Sequence, residues 1–360
     1  MALSERENFV RNARRTGPEW MPCYLSLSMS AWDSLREELE EVVLRHPVLF
    51  PGYQKGKHDF ANLRFAPDRV KGSRFRDTWG CVWEANVNGM MGVVVEHPLD
   101  DWGKMSEWQA PDALTTGEKG PVDWEAIRAK FGRKLGLGAL RRGATTHGFF
   151  LLRLSYLRGF ENLMLDLATE APELAELIRV VDHYNSVWVR QYLDIGIDVM
   201  EFAEDLGTQT SSIISPAMFR KWVMPSYKLL MKPCREQGAL VYLHSDGYIL
   251  DLMDCLEECG VDIVNPQDLV NGIDNIARVC KGRFSVRLDV DRQRIVPFGT
   301  RQEIRELIEE EVRKLGSRRG GLELVCGIYP PTPPENVDAV CCAMEEFRTY
   351  WFDGRGKESL

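Results

Sequence analysis

The residues able to do chemistry cluster in the second half of the chain. His244, Ser245 and Asp246 follow the apolar run Leu240-Val241-Tyr242-Leu243 and precede Gly247, whose turn lets backbone come close to a ligand. An imidazole and a carboxylate two residues apart at a strand end can reach one ion or share one proton. Cys326, at the end of a later apolar stretch, can add a thiolate. A His244/Asp246/Cys326 set suits zinc, which accepts nitrogen, oxygen and sulfur, with Asp268 or Glu201 as a fourth ligand or an open position in its place. The same residues also fit a general acid or base, or a histidine merely hydrogen-bonded at the rim.

Other strand ends carry polar groups too: Glu201, Glu204 and Asp205; Asn265, Gln267 and Asp268; Arg287, Asp289 and Asp291. These groups converge only if the chain builds a parallel sheet. The pattern from residue 145 onward predicts one. His147 to Leu154 reads as a strand. Ala171 to Tyr192 reads as an amphipathic helix, with Leu174, Leu177, Ile178, Val181, Tyr184 and Val187 at helical spacing. Strands follow at 197–203, 239–244, 261–265, 283–288 and 322–326. Between them come helices opened by Ser215-Pro216 and by the capping box Thr300-x-x-Glu303, and a last helix starts at Pro334.

Short apolar strands alternating with amphipathic helices make right-handed βαβ units. A (β/α)8 barrel and a doubly wound sheet both fit. The number of units favours the barrel, as one domain over 1–360, with residues 1–145 an irregular N-terminal part hiding the early strands and 146–350 the regular units. Either fold gathers its chemistry at the carboxyl ends of the strands. His147 opens its predicted strand and is set aside on that ground. The pairs Cys255/Cys259 and Cys341/Cys342 read as helix packing.

Composition removes several alternatives. The net charge of −9 over 360 residues gives no basic footprint for nucleic acid or an anionic membrane. A charged N-terminus, no apolar run of eighteen, and nine cysteines without framework spacing lead to the expectation of a cytoplasmic protein with free thiols. There is no P-loop, no Gly-x-Gly-x-x-Gly after a strand and no Gly-x-Ser-x-Gly elbow.

Several stretches together resemble the uroporphyrinogen decarboxylase-like superfamily. They are Asp77-x-Trp79-Gly80, Arg158-Gly159-Phe160-Glu161, Glu204-Asp205-Leu206-Gly207-Thr208-Gln209 and Ser215-Pro216-x-x-Phe219-Arg220-Lys221. Leu243-His244-Ser245-Asp246-Gly247, the run from Gly260 to Pro266, and the run from Cys326 to Asn336 complete the set. The resemblance implies a (β/α)8 TIM barrel. The porphyrinogen decarboxylases carry an Arg-Gln-Ala-Gly-Arg segment after the first strand, for substrate carboxylates. The corresponding stretch here is Tyr24-Leu25-Ser26-Leu27-Ser28-Met29-Ser30, without arginine.

The chain is therefore more similar to the cobalamin-dependent methyltransferase branch, which holds zinc with a His-x-Cys pair and a distant cysteine before Gly-Ile-x-Pro. His244 and Cys326 match that histidine and distant cysteine, and Asp246 replaces the middle cysteine. The resemblance implies methyl transfer from a small O- or N-methylated compound to a corrinoid on a partner protein. It implies His244, Asp246 and Asp205 as the catalytic groups and pairing as a homodimer. Trp79 and Tyr242 are expected as pocket walls, and Gln209, Arg287 and Asp289 as orienting groups. A decarboxylase or lyase on the same barrel, and a non-catalytic partner of a corrinoid protein, are the competing expectations.

Overall fold

The computed structural model describes residues 3–136 and 138–356. Twelve strands occur among them. In chain order they are β1 (Cys23–Leu27), β2 (Arg74–Arg76), β3 (Val82–Glu84), β4 (Val93–Glu96), β5 (Thr116–Gly117), β6 (Gly120–Pro121), β7 (Arg142–His147), β8 (Val199–Asp205), β9 (Leu240–Asp246), β10 (Ile263–Asn265), β11 (Ser285–Asp289) and β12 (Leu322–Ile328). Seven of them form a curled parallel sheet in the order β1-β12-β11-β10-β9-β8-β7, a TIM-type arrangement.

The expected eighth strand is not part of this sheet. Its two edges, β1 and β7, have no hydrogen-bonded partner between them. The chain from one edge to the other instead forms the helix Met29–Arg45, the antiparallel sheet β2-β3-β4, the β5-β6 pair and the helix Trp124–Gly136. Gly and Trp interrupt this stretch too often for a long apolar strand, so it folds over the barrel's side.

Alternation along the strands decides what faces inward. On β8, Phe202 and Glu204 point out to the helices, while Glu201, Ala203 and Asp205 face the lumen. Glu204 therefore leaves the candidate list. Its carboxylate accepts the backbone N–H groups of Phe150, Leu151 and Leu152 and caps the helix Leu151–Arg158. Burial pushes that carboxyl up to about 7, against the pull of the three donors.

The amino end of the barrel is plugged by the helix Glu5–Ala13. Phe9 and Ala13 pack with Leu140, Val199, Leu240, Tyr242 and Ile263 at the strand starts. Ser4 and Glu7 cap that helix reciprocally. The buried Asn8 ties it to the chain at Glu19 and Trp20. The plug leaves a polar cavity toward the carboxyl end.

A buried cation, Arg153, is one of the side chains that tie the long insertion to the barrel. Arg153 is 1% exposed and pairs with Asp77, at 3.4 Å, and with Glu118. Its guanidinium lies 5.2 Å from the Trp79 ring and 5.4 Å from that of Tyr156. Asp77 also accepts from Cys81 N and Trp83 Nε1, both at 2.8 Å. Removing the cation strands two carboxylates in an apolar setting, which costs about 3–5 kcal/mol. Arg153→Met should lower the free energy of urea unfolding by that order. A loss below about 1 kcal/mol would show that the insertion is held elsewhere.

Candidate active site

Strand register sets the site at one level. His147 is paired with Ala203, Ala203 with His244, and His244 with Asn265, across β7, β8, β9 and β10. Asp205 and Asp246 pair with each other one pleat higher. His147 thus ends its strand, where the sequence pattern placed a strand start. The run from Leu151 is helix, and its apolar residues face the core rather than a sheet.

The loops after β8 and β9 lock against each other. Gly247 has φ +81°, and a Cβ there would sit 2.2 Å from the Gly207 carbonyl oxygen. Leu206 N donates to Ser245 Oγ at 2.8 Å, and Tyr248 N donates to Thr208 O at 2.7 Å. The two glycine motifs are the contact that fixes Asp205 beside His244.

The imidazole of His244 is oriented from behind. Asn265 Nδ2 donates to the Arg287 carbonyl at 2.5 Å, so its Oδ1 faces Tyr242 and His244. That oxygen accepts from Tyr242 Oη–H at 2.6 Å and from His244 Nδ1–H at 2.8 Å. With the proton on Nδ1, the Nε2 of a neutral His244 presents a lone pair to the site. It lies 3.5 Å from Asp246 Oδ1 and 4.0 Å from Asp205 Oδ1. His147 Nε2 is 3.3 Å from the same Asp205 oxygen.

Below the mouth is a cavity of about 330 Å³, lined among others by Tyr24, Tyr242, His244, Arg287, Asp289 and Cys326. Glu201 lines it too but is committed to Arg142 at 2.6 Å, with Arg287 at 3.7 Å. Arg287 also faces Glu323 at 3.6 Å and lies 5.3 Å from the Tyr242 ring. Arg292 donates to both oxygens of Asp246, at 2.7 and 2.8 Å, and lies 3.4 Å from Asp289. Burial raises the Asp289 carboxyl to about 6, opposed by Arg292 and His244.

Some expected members stand elsewhere. Trp79 is buried against Tyr184 and Trp108, away from the cavity. Gln209 is exposed in the loop past β8. Asp268 is buried behind the cavity, where it accepts from Asp291 N and Leu269 N, and burial raises its carboxyl to about 6. Sequence reasoning passed over Arg292 and His147. Arg292 follows Asp289 by three residues, a spacing that could have flagged it.

His244, Asp246 and Cys326, the zinc set implied by the resemblance, are not gathered within 4.8 Å of one another in this structure. Both oxygens of Asp246 are held by Arg292. Burial, with Asp289, Asp268 and Glu311, pushes the Cys326 thiol well above its ordinary value. Among the described residues, two sets of three metal-competent atoms lie within 4.8 Å of one another: His147/Asp205/His244 and His46/Asp338/Cys342. Cys326 is in neither.

A curled parallel sheet with histidines and carboxylates at its carboxyl ends is the scaffold of a TIM-type enzyme family. The chain belongs to the uroporphyrinogen decarboxylase (URO-D) family, which residues 91–347 match. It is 29% identical over 178 residues to uroporphyrinogen decarboxylase from Prochlorococcus marinus, covering 48% of this chain and 47% of that protein. It is 26% identical over 155 residues to that of Nostoc punctiforme, covering 42% and 41%. The chain thus spans about half the length of the curated relatives it matches. Among solved structures, a methyltransferase from Methanosarcina mazei shares the fold with a TM-score of 0.64. That likeness covers 96% of this chain and 99% of the other at 18% identity. No helix among the described residues is long and apolar enough to cross a membrane.

The His147–Asp205 pair predicts a pH signature. Burial opposes charge on His147, but the hydrogen bond and charge of Asp205 outweigh it and hold the imidazole above its ordinary value. Burial likewise opposes charge on Asp205, and His147 outweighs it and holds the carboxyl below its usual range. The raised histidine stabilises the fold below its unfolded value and loses that as pH rises. The lowered aspartate stabilises above its unfolded value and loses that as pH falls. The pair therefore contributes most between about pH 4 and about pH 6.5. In chelator-treated protein, Asp205→Asn should lose more stability at about pH 5.5 than at about pH 9. Equal losses in urea titrations at both values would remove the pair.

Proposed function

We propose that the chain transfers a methyl group from a small O- or N-methylated compound to a corrinoid carried by a separate protein. The observation that carries this reading is the charge matching of the cavity. Arg142, Arg287 and Arg292 are each paired with carboxylates of the chain itself: Glu201, Glu323, Asp246 and Asp289. Of the three, Arg287 alone stands outside hydrogen-bond distance of its carboxylates, 3.6 and 3.7 Å from Glu323 and Glu201, and one such arginine is too few for a substrate bearing many carboxylates. The cavity volume, about 330 Å³, lies at the low end for small-molecule sites, which run from about 300 to 1,000 Å³.

Methyl transfer asks for what the mouth offers. The bond from methyl to oxygen or nitrogen breaks, and its electron pair stays on the heteroatom. When bound, the corrinoid supplies the electron pair that takes up the carbon. The charge left on the heteroatom then needs a proton or a cation, and the His147, Asp205 and His244 group at the rim is placed to hold either. His244 faces the same point, and the apolar faces of Tyr24 and Tyr242 hold the methyl-bearing group.

Decarboxylation of a small carboxylated substrate is the second reading, and the named activity of the curated relatives favours it. It requires Arg287 or Arg292 to exchange a protein carboxylate for the substrate's. The two readings separate in one assay. Purified protein is mixed with cob(I)alamin and a panel of methoxylated aromatics, methylamines and betaines, and the corrinoid absorbance is followed. Consumption of cob(I)alamin with at least one compound is expected. It should slow about 10²-fold or more in His244→Ala. Cob(I)alamin left untouched by every compound overturns the proposal, and carbon dioxide release from a small carboxylated substrate then supports the second reading.

A further inference from the structure

Asp205 is an anion that faces histidines, whose charge depends on pH, rather than a fixed cation. Among the described residues no lysine or arginine pairs with it. Its side-chain neighbours are His147 Nε2 at 3.3 Å and His244 Nε2 at 4.0 Å. Asp246, the next carboxylate, is neutralised by both its bonds to Arg292. His244 sets its Nδ1 on Asn265 Oδ1, so its Nε2 is the atom turned toward both carboxylates. Fixed charge is therefore out of balance at this point, and a neutral imidazole there offers a lone pair that a cation can take.

We infer that His147, Asp205 and His244 form a binding site for a divalent first-row transition metal cation of the zinc class. The three donor atoms lie within 4.8 Å of one another. Tetrahedral zinc with ligands at about 2.0–2.1 Å sets its donors about 3.3–3.4 Å apart. The His147–Asp205 separation already has that value, and His244 lies 4.0 Å from the same oxygen, so small side-chain rotations bring the three donors together.

Three features argue for a ligand site over a plain ion pair. The donors come from the ends of three adjacent strands, positions fixed by register rather than by loops. His244 carries the outer hydrogen bond that orients metal-ligating histidines, and Asn265 is itself held by the Arg287 carbonyl. The site opens beside the cavity that His244 also lines, leaving a coordination position for a substrate heteroatom. The other metal-competent set lacks this imbalance. Asp338 there is paired with Arg45 and Arg301, and both nitrogens of His46 already face carboxylates. A nitrogen–oxygen site at His147/Asp205/His244 places the metal away from Cys326, unlike the sulfur-containing set that the resemblance implies.

The test is binding to the full chain, independent of any activity. Chelator-stripped protein is titrated with zinc by calorimetry and with cobalt(II) by absorption. One equivalent should bind, and cobalt should show no sulfur-to-metal charge-transfer band. Asp205→Asn and His147→Gln should each weaken zinc binding about 100-fold or more, with circular dichroism confirming that both variants fold. Cys326→Ser should leave zinc affinity unchanged. Binding below about 0.2 equivalents overturns the site. So does a thiolate band lost in Cys326→Ser, which would return the metal to the cysteine, and so does unaltered affinity in folded His147→Gln.

Discussion

A sheet with an unpaired gap between its edge strands must be held closed by something other than backbone hydrogen bonds. Here that something is a group of charges inside the curl. Arg142, on the edge strand β7, reaches Glu201 on β8 at 2.6 Å and Glu323 on β12 at 3.8 Å. Arg287 on β11 faces the same two carboxylates at 3.7 and 3.6 Å. Two cations and two anions thus link strands that are not neighbours in the sheet. Each ion is costly to bury alone, and mutual pairing is what makes the arrangement tolerable. The network forms the cavity floor, so the geometry that shapes the fold also sets the polarity of the site.

That constraint explains why one barrel serves unlike chemistries by small substitutions. An arginine bound to a protein carboxylate is structure, while an arginine without one is a substrate anchor. Strand β1 contributes Tyr24 and Ser26 to the cavity and no cation, and the arginines deeper in the lumen face Glu201 and Glu323. What remains free is at the rim, where two imidazoles share one carboxylate.

The sequence revealed the repeating units because they obey strong local rules. The Thr300/Glu303 box and the Ser215 cap form as their spacing predicts, and the strands from β8 onward lie within a few residues of the apolar runs. His244, Asp205, Tyr242, Arg287 and Asp289 line or border the cavity because they stand at or near the ends of strands that the apolar runs mark in the sequence. His147 was missed because Phe149-Phe150-Leu151-Leu152 looks like strand and is the entry to a helix capped by Glu204 from another strand. Trp79 was misplaced because an indole's partners cannot be read from its neighbours, and its partners here are Arg153, Tyr184 and Trp108. Arg292 lay beyond a strand end, where no periodicity constrains direction.

Asp246 gains its meaning from that last residue. A carboxylate standing where the resemblance implies a thiolate looks, in one dimension, like a harder metal ligand. In three dimensions both its oxygens are occupied by one guanidinium, and Arg292 also spans to Asp289 and lies 5.7 Å from the Tyr329 ring. The substitution therefore comes with a partner, and together they form a neutral pair beside His244. A thiolate at that position would draw a metal toward Cys326. A neutral Asp246–Arg292 pair does not, and the uncompensated negative charge falls one strand over, on Asp205, where two histidines already face it.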